Sequence, residues 1–315
     1  MGANILSDMT NAFFDGLYRQ VEVYLGSTPI HQQERGLLAD ACVGYSHVLS
    51  LLFMAPWLEK TYGSFKHVYG QLQQTAQALA QALDNEMPAA ERARHLATLL
   101  DSIFADEDAQ RLEVAMNGVN ELLGSAEGNE AGEEACCKLQ CYLNYFEAPS
   151  VDADPVPTIL NGWCAQQLPD GSWHLADRQA VLLRLETLVL YRQTADPNAF
   201  SQELERALDF YTRAPFFRVD LEGPSDYAVR LMHVLLNAGA SSALQPTVEA
   251  LVSIFAAPNA PEATDSAPAA TPAATPAPTS APAPLFRAFR ALSLYVLEEQ
   301  KQAYYKQWEN VTHKL

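Results

Sequence analysis

Apolar residues recur at helical spacing along most of the chain, and the pattern is clearest between Ile159 and Ala214. There it predicts three helices joined by two turns. In the middle helix Val181, Leu185 and Leu188 form one apolar stripe, and neighbouring leucines and a valine widen it to more than one face. A helix that is apolar on several faces is buried between neighbours, so this segment predicts stacked helices.

The rest of the chain predicts more helices of the same kind. The first three are long: one ends at Gly26, and the next two span about His31–Met54 and Trp57–Asp84. Shorter helical segments follow, and they are Pro88–Phe104, Asp108–Leu123, Gly132–Phe146, Ser225–Ala238 and Ser242–Phe255. No clear stretch alternates apolar and polar residues over strand length, so we expect an all-α fold, an α-solenoid-like stack of antiparallel helices.

The composition changes abruptly after Ala257. Residues 258–284 are rich in proline and alanine with threonine and serine, a composition that cannot build a core and predicts a disordered linker. We therefore expect an α-helical repeat domain over 1–257, the linker over 258–284, and a C-terminal amphipathic helix over 285–315. Whether that helix docks on the chain's own helices or on a partner is left open by the sequence.

Aromatic residues mark the C-terminal helix as a candidate binding element. Phe289, Tyr304, Tyr305 and Trp308 are the candidate anchors for a partner protein. A few buried aromatic or arginine side chains carry most of the binding energy at typical interfaces. The sequence therefore predicts other protein subunits as the partners of this chain.

Acidic residues outnumber basic ones, with 38 aspartates and glutamates against 20 lysines and arginines and a net charge of −18. Affinity for nucleic acid rests mainly on cations that neutralise phosphates, so direct nucleic-acid binding is disfavoured. The most apolar run, Leu37–Ala55, is interrupted by Asp40, His47 and two serines. A charge inside a bilayer is costly, so the run predicts a buried helix and no membrane association.

The five cysteines lie inside apolar helical segments, and their number is odd. Because no disulfide framework or secretory signal is visible, we expect reduced thiols and a cytoplasmic protein. Cys136, Cys137 and Cys141 place two thiols one helical turn apart, but no further ligands complete a metal site. No phosphate-binding glycine loop, nucleophile elbow or dinucleotide fingerprint occurs, so we expect no cofactor and no catalytic residue.

One short motif points to a different class of protein. The sequence QLPDGSW at 167–173 resembles the glutamine–tryptophan repeat motif of class II terpene cyclases. The sequence DADP at 152–155 is similar to the acidic motif of those enzymes, whose central aspartate donates the proton, but here proline replaces the final aspartate. The resemblance implies an α/α-barrel enzyme with an aromatic-lined cavity. The residues themselves favour a simple turn, in which Gly171 supplies the backbone geometry.

A second resemblance covers more of the chain. The leucine-rich segments 93–104, 111–123, 178–192 and 224–236, together with Trp163, are similar to the helical-repeat half of PCI-family complex subunits, of the type found as subunit M of translation initiation factor three. The similarity spans about residues 76–255 and implies a role in assembly. Where that family continues into a winged helix, this chain has the proline–alanine segment and one helix.

These patterns predict a non-catalytic helical scaffold or adaptor subunit of a multiprotein complex, related to translation initiation if the PCI resemblance holds. The alternative is an α/α-barrel enzyme of the terpene-cyclase type. An apolar cavity lined by several aromatic side chains, with two or more converging carboxylates, would support the enzyme. A third hypothesis is an adaptor whose folded body only displays the tethered C-terminal helix.

Overall fold

A computed structural model describes residues 2–83, 87–104, 109–124, 130–146, 154–175, 177–213, 219–220, 223–240, 248–249 and 282–312. These residues are all-α apart from two antiparallel two-residue strands, β1 (Val219–Asp220) and β2 (Gly223–Pro224). The helices are α1 (Gly2–Ser27), α2 (Arg35–Met54), α3 (Glu59–Tyr62), α4 (Phe65–Gln81), α5 (Ala89–Asp101), α6 (Ala109–Gly124), α7 (Glu130–Phe146), α8 (Val156–Ala165), α9 (Arg178–Thr194), α10 (Ser201–Tyr211), α11 (Asp226–Asn237) and α12 (Pro282–Thr312). The predicted all-α class is confirmed.

One predicted helix is broken in the structure. The segment expected as a single helix over 57–84 consists of a 3-10 turn at Pro56–Leu58 followed by the separate helices α3 and α4. Gly63 ends α3 with a φ of +87°, a backbone conformation that residues with a Cβ rarely adopt. Ser64 then begins α4, because its Oγ accepts a hydrogen bond from the backbone N–H of His67 at 3.2 Å. The apolar periodicity continues across the break, so it does not reveal the break.

Six helices form an inner ring. Among the described residues α2 contacts α5, α5 contacts α7, α7 contacts α9, α9 contacts α11, α11 contacts α12, and α12 contacts α2. Helices α1, α4, α6, α8 and α10 lie outside this ring, each against at least one inner helix. In an open solenoid each repeat contacts only its neighbours, whereas here the contact between α12 and α2 joins the two ends of the series of inner helices.

The inner helices run in the same direction wherever side-chain contacts fix their register. Between α7 and α9, Glu134 pairs with Arg184 and Lys138 pairs with Glu186, so residue numbers rise together along both helices. The same holds for the contacts between α2 and α12 and between α9 and α11, which are Asp40–Arg290, His47–Ser293, Gln179–Arg230 and Gln193–Asn237. The ring therefore has an N-terminal end and a C-terminal end.

The first half of α12 belongs to the core of the chain. Phe289 is fully buried, with its ring stacked on Phe14 at a centroid distance of 5.9 Å and edge-on to Tyr45 at 5.6 Å. The ring fills the space beside Gly44, where a Cβ would overlap it. The C-terminal helix thus docks on the chain's own helices, which answers the question that the sequence left open.

Two other predicted segments lie mostly outside the described residues. Of the predicted linker over 258–284, the structure describes only the last three residues, which form the first turn of α12 beginning at Pro282. Of the helix predicted over 242–255, it describes 248 and 249, and the side chain of Val248 is buried. The disordered linker and the helix over 242–255 therefore stay predictions. The helix α12 begins at Pro282, three residues earlier than the predicted start at 285.

The apolar helix α2 is the centre of the packing. By length and composition it is the one described helix that could cross a membrane, but 78% of its apolar window is buried inside the chain. It contacts α4, α5 and α12 on different sides, which accounts for its nearly continuous apolar sequence.

The QLPDGSW segment forms a turn that connects α8 to α9 and holds α10. Gly171 has a φ of +92°, and the carboxylate of Asp170 accepts a hydrogen bond from the backbone N–H of Ser172 at 3.0 Å. The side-chain amide of Gln167 donates to the carbonyl oxygen of Glu203 in α10 at 2.8 Å. These contacts give the motif a structural role, which is the simple turn that its residues favour.

The tryptophan of the same motif packs into the core. The Nε1–H of Trp173 donates to the carbonyl oxygen of Trp163 at 2.9 Å, and its backbone N–H donates to the hydroxyl of Tyr211 at 3.1 Å. The guanidinium of Arg184 lies over both indole rings, 5.2 Å from the centroid of Trp163 and 5.8 Å from that of Trp173. The motif therefore connects helices α8, α9 and α10.

We predict that Gly171→Ala destabilises the chain by about 2 kcal/mol or more, because φ is positive and the added Cβ would collide with the backbone carbonyl of Arg206. Urea unfolding followed by far-UV circular dichroism measures the change. The control is Gly162→Ala in α8, an exposed helical glycine with nothing within 4 Å of the added Cβ, where we expect unchanged or slightly raised stability. Equal effects of the two substitutions would contradict this account of the turn.

Candidate functional site

The structure separates the predicted partner-binding residues into two groups. Phe289 is fully buried in the core, so it is a packing residue here and not a surface anchor. Tyr304 and Tyr305 lie on the second half of α12, with 41% and 65% of their surface exposed. Trp308 lies outside the residues whose side chains the structure describes. The two tyrosines are therefore the surface candidates among the four.

Two further exposed aromatic residues lie at the same end of the ring. Phe53, in the last turn of α2, is 75% exposed, and Trp57 in the following 3-10 turn is 69% exposed. Helices α2 and α12 are parallel, so these residues and the two tyrosines share the C-terminal end of the ring. We call the set of Phe53, Trp57, Tyr304 and Tyr305 the aromatic end. Sequence reasoning missed Phe53 because it continues the apolar run of a buried helix.

The ring encloses two polar cavities along its axis. A larger one of about 340 Å³ lies among the N-terminal halves of the inner helices, and a smaller one of about 80 Å³ lies among their C-terminal halves. Four charged side chains line both cavities and form the layer between them: Asp101, Lys138, Glu186 and Arg290. We call them the charged layer. They project from α5, α7, α9 and α12, so the ring closure brings them together.

The best-paired member of the charged layer is Glu186. Arg230 donates to both of its carboxylate oxygens, at 2.7 and 2.8 Å, and Lys138 donates to it at 3.0 Å. Burial alone would raise the pKa of Glu186, but the two cations outweigh burial and hold this pKa well below its ordinary range. Glu186 is therefore a permanent anion that holds α7 and α11 to α9.

A second ion pair joins the two helices that close the ring. Arg290 of α12 donates to the carboxylate of Asp40 of α2 at 3.1 Å. Burial raises the pKa of Asp40 to about 6, even though Arg290 acts in the opposite direction. The axis thus holds one carboxylate that stays ionised, Glu186, and two whose pKa is raised by burial, Asp40 and Asp101. Carboxyl groups whose pKa values differ in this way can serve as the acid and the base of one polar site.

Two partly buried histidines lie beside Arg290. The ring of His47 is 5.5 Å from that of His233, and its Nδ1 is 2.9 Å from the hydroxyl of Ser293. Burial lowers the pKa of His47 to about 3, and the charge of Arg290 lowers it further. Burial and then Arg290 also hold the pKa of His233 well below its ordinary value. Both imidazoles are therefore neutral in the folded chain.

Some charged residues of the axis can be recognised in the sequence, although their partners cannot. Each interrupts an apolar helical stripe, as Asp40 does in α2 and Glu186 does in α9. An isolated charge among buried positions indicates a charged partner elsewhere in the fold, because an unpaired buried charge is costly. That signal could have identified the polar axis, although not which charges pair.

The acidic motif and the cysteines give no site in the described part of the chain. Asp154 accepts a hydrogen bond from the backbone N–H of Val156 at 3.0 Å and so caps the start of α8, while 152 and 153 lie outside the described residues. All five cysteines are free thiols. Within the described ranges, no group of three or more His, Cys, Asp and Glu side chains is arranged to hold a metal ion.

Comparison with known protein families, with curated protein sequences and with solved structures finds no match to this chain. The resemblances to PCI-family subunits and to terpene cyclases therefore stay predictions. The aromatic end and the axial cavities are the features of the structure that point to a function.

We predict that Glu186→Gln destabilises the chain by about 3–5 kcal/mol, because it leaves Lys138 and Arg230 buried without their counter-charge. The midpoint of guanidinium unfolding measures the loss. Glu121→Gln is the control, since Glu121 is an exposed partner of Arg92 and its loss should cost less than about 1 kcal/mol. A cost of less than about 1 kcal/mol for Glu186→Gln would show that the charged layer does not support the ring.

We also predict that His47 makes the chain acid-sensitive. Its pKa is lower in the folded chain than the ordinary 6.5, so the unfolded chain binds the proton first as the pH falls. The free energy of unfolding should therefore decrease as the pH falls from about 6.5 toward 3, by up to about 1.4 kcal/mol per pH unit for this one group. Asp40 acts in the opposite sense between about pH 4 and 6, because its folded pKa is raised.

The contribution of His47 is isolated by comparing the original chain with His47→Asn, which keeps a polar atom near Ser293. Urea unfolding between pH 4.5 and 7 gives the two slopes of stability against pH. We expect the slope of the variant to be shallower. Identical slopes would mean that His47 is protonated equally in both states.

Proposed function

We propose that this chain is a non-catalytic helical scaffold that binds another protein through the aromatic end of its ring. The observation that carries the proposal is the exposure of four large aromatic side chains at the C-terminal end of α2 and α12, where Tyr145 at the end of α7 is exposed as well. Exposed aromatic side chains at one place are typical of interfaces, where burial of such anchors supplies most of the binding energy.

Charge supports the same kind of partner. The net charge of −18 favours encounter with a basic protein surface and disfavours nucleic acid. We propose a protein partner with a basic rim around an apolar recess that accepts the aromatic end. Membership of a larger complex, a link to translation initiation and a cytoplasmic location belong to this proposal and rest on the sequence patterns described above.

The arrangement of the repeats is part of the proposal. We infer that the chain is a series of outer and inner helices that closes on itself, and not an open solenoid, because α12 contacts α2. A closed ring has no long concave groove, which is the usual binding surface of solenoids. Its ends remain available for binding, and this favours the aromatic end as the contact surface.

The adaptor hypothesis receives less support than the scaffold. An adaptor would display its C-terminal helix on a body that folds without it. Here the first half of α12 supplies fully buried residues to the core, and only its second half carries the exposed tyrosines. We therefore propose that α12 has both roles, with a core half and a binding half.

The arrangement of the helices supports the enzyme hypothesis, but the lining of the cavity does not. A ring of inner helices with an outer layer is the arrangement that an α/α barrel requires. Among the residues that the structure describes, however, the larger cavity is lined mainly by charged side chains, with a few aliphatic residues and no phenylalanine, tyrosine or tryptophan. Such a lining favours a polar ligand and does not favour a hydrocarbon or a carbocation.

We predict that Tyr304→Ser with Tyr305→Ser abolishes capture of a stoichiometric partner by the tagged full chain in native lysate. The two tyrosines are exposed, so the thermal unfolding of the double variant should match that of the original chain. Mass spectrometry of the captured proteins with quantified stoichiometry is the measurement. Deletion of 258–315 is unsuitable, because it removes the buried half of α12.

Val23→Ser, with and without the Tyr304 and Tyr305 changes, is the control. Val23 is 55% exposed in α1, next to Tyr24, whose ring contacts Phe286 near the start of α12, so it lies away from the aromatic end. The single variant should capture the same partner as the original chain. The proposal is contradicted if the double variant still captures that partner, or if the original chain is recovered without any partner.

A further inference from the structure

The larger axial cavity has the size and position of a small-molecule site. Its volume is about 340 Å³, within the range of known ligand pockets. Its walls are the N-terminal halves of the inner helices, and the side chains of Arg94 and Asp226, 34% and 40% exposed, lie where it meets solvent. A small molecule could therefore enter from the N-terminal end of the ring, which is the end opposite to the aromatic end.

The cationic side chains of the cavity are unequally paired. Arg230 is fully engaged, with both Glu186 oxygens and the side-chain oxygen of Gln179 accepting its hydrogen bonds. Arg290 has one partner, Asp40, and its buried Nε–H has none among the described residues. Arg94 reaches its nearest carboxylate, that of Asp226, only at 3.9 Å, beyond hydrogen-bond length. Arg94 and Arg290 therefore retain donors for a ligand.

The cations also repel one another. Burial lowers the pKa of Arg94, and the neighbouring charge of Arg230 lowers it further. The pKa of His95 is also lowered, mainly by burial and then by the charge of Arg94. The first turns of α2, α11 and α12 contribute lining residues, and the positive ends of their helix dipoles add to this potential. Arg94 and Arg290 both line the cavity, so an oxyanion bound there would accept hydrogen bonds from them and offset the repulsion of Arg94 by Arg230.

The remaining lining groups define the rest of the ligand. Among the described residues, the cavity is also lined by Thr98 and by six carboxylates, which stand against five lysine and arginine side chains; the carboxylates are those of Glu34, Asp40, Glu91, Asp101, Glu186 and Asp226. These groups accept hydrogen bonds, so they suit hydroxyl or ammonium groups and would repel a second anionic group. The small aliphatic residues between them leave no surface for a large apolar moiety.

We propose that the axial cavity binds a small polar molecule that carries one oxyanion, a carboxylate or a phosphate, together with hydroxyl or ammonium groups. Arg94 and Arg290 bind the oxyanion, and the surrounding carboxylates bind the hydrogen-bond donors. This site is independent of the aromatic end and of the partner proposed there, because the two lie at opposite ends of the ring.

The experiment uses the purified full chain and three probes: inorganic phosphate, glucose 6-phosphate and the amino acid serine. Thermal unfolding and isothermal titration calorimetry are measured with each probe at constant ionic strength against sodium chloride. We expect at least one probe to bind saturably and to raise the Tm by about 2 °C or more at saturation. If the site recognises a carboxylate, serine should bind more tightly than inorganic phosphate. If it recognises a phosphate, the order should be reversed.

Two kinds of variant place the binding in the cavity. Arg94→Met should weaken the Kd of the bound probe roughly tenfold, since it removes a charged hydrogen-bond donor. Gly36→Glu adds a carboxylate at the cavity, at a lining position where nothing lies within 4 Å of an added Cβ, and should weaken it roughly threefold to tenfold. Because Gly36 has this free space and lies in the first turn of α2, its variant is expected to fold even if the arginine variant does not.

Three controls match these variants. Gly36→Gln has the same shape as Gly36→Glu without the charge and should bind almost normally. Gly162→Glu makes the same change of net charge on the exposed face of α8, and Arg213→Met removes an exposed arginine outside the cavity. Neither should alter the Kd. The proposal is overturned if no probe binds saturably, or if the Kd is unchanged in Gly36→Glu and Arg94→Met.

Discussion

The closure of the helical ring by α12 is the constraint on which the rest of the structure depends. The inner face of α12 places Phe289 against Gly44 and Arg290 beside Asp40, so one turn of helix provides both an apolar and an ionic contact to α2. The apolar contact requires the absence of a side chain at 44, and the ionic contact requires two opposite charges at an interface whose other described polar contact is that of His47 with Ser293. Without this closure the axis would be an open groove, and the charged layer would lose Arg290.

Local features of the fold could be predicted from the sequence, because helix periodicity and turn chemistry act over a few residues. The helices of the middle segment and the turn at Gly171 are of this kind. The pairing of α2 with α12 could not be predicted, since a buried amphipathic helix has the same pattern whether its own chain or a partner covers it. Phe289 was therefore grouped with Tyr304 as a surface anchor, although only the tyrosine is exposed.

The candidate sites divide along the same line. Tyr304 and Tyr305 are named from the sequence as aromatic residues of the last helix, but the same rule names Phe289, so the sequence does not separate surface from core positions on this helix. The cavity does not follow from the sequence, because it needs side chains from several helices that are distant in sequence. Its charges are individually visible as interruptions of apolar stripes, but the pairing of Glu186 with Arg230 and Lys138 depends on the three-dimensional neighbours of α9.

The distance in sequence between α2 and α12 has a consequence for synthesis on the ribosome. Contacts such as Asp40 with Arg290 join residues 250 positions apart, so they form only after all the residues between α2 and α12 have been translated. Until then the apolar surface of α2 that α12 covers stays open to water and to other chains. Premature termination would leave that surface permanently uncovered, which makes the nascent chain a natural client for chaperones and its truncated products prone to aggregation.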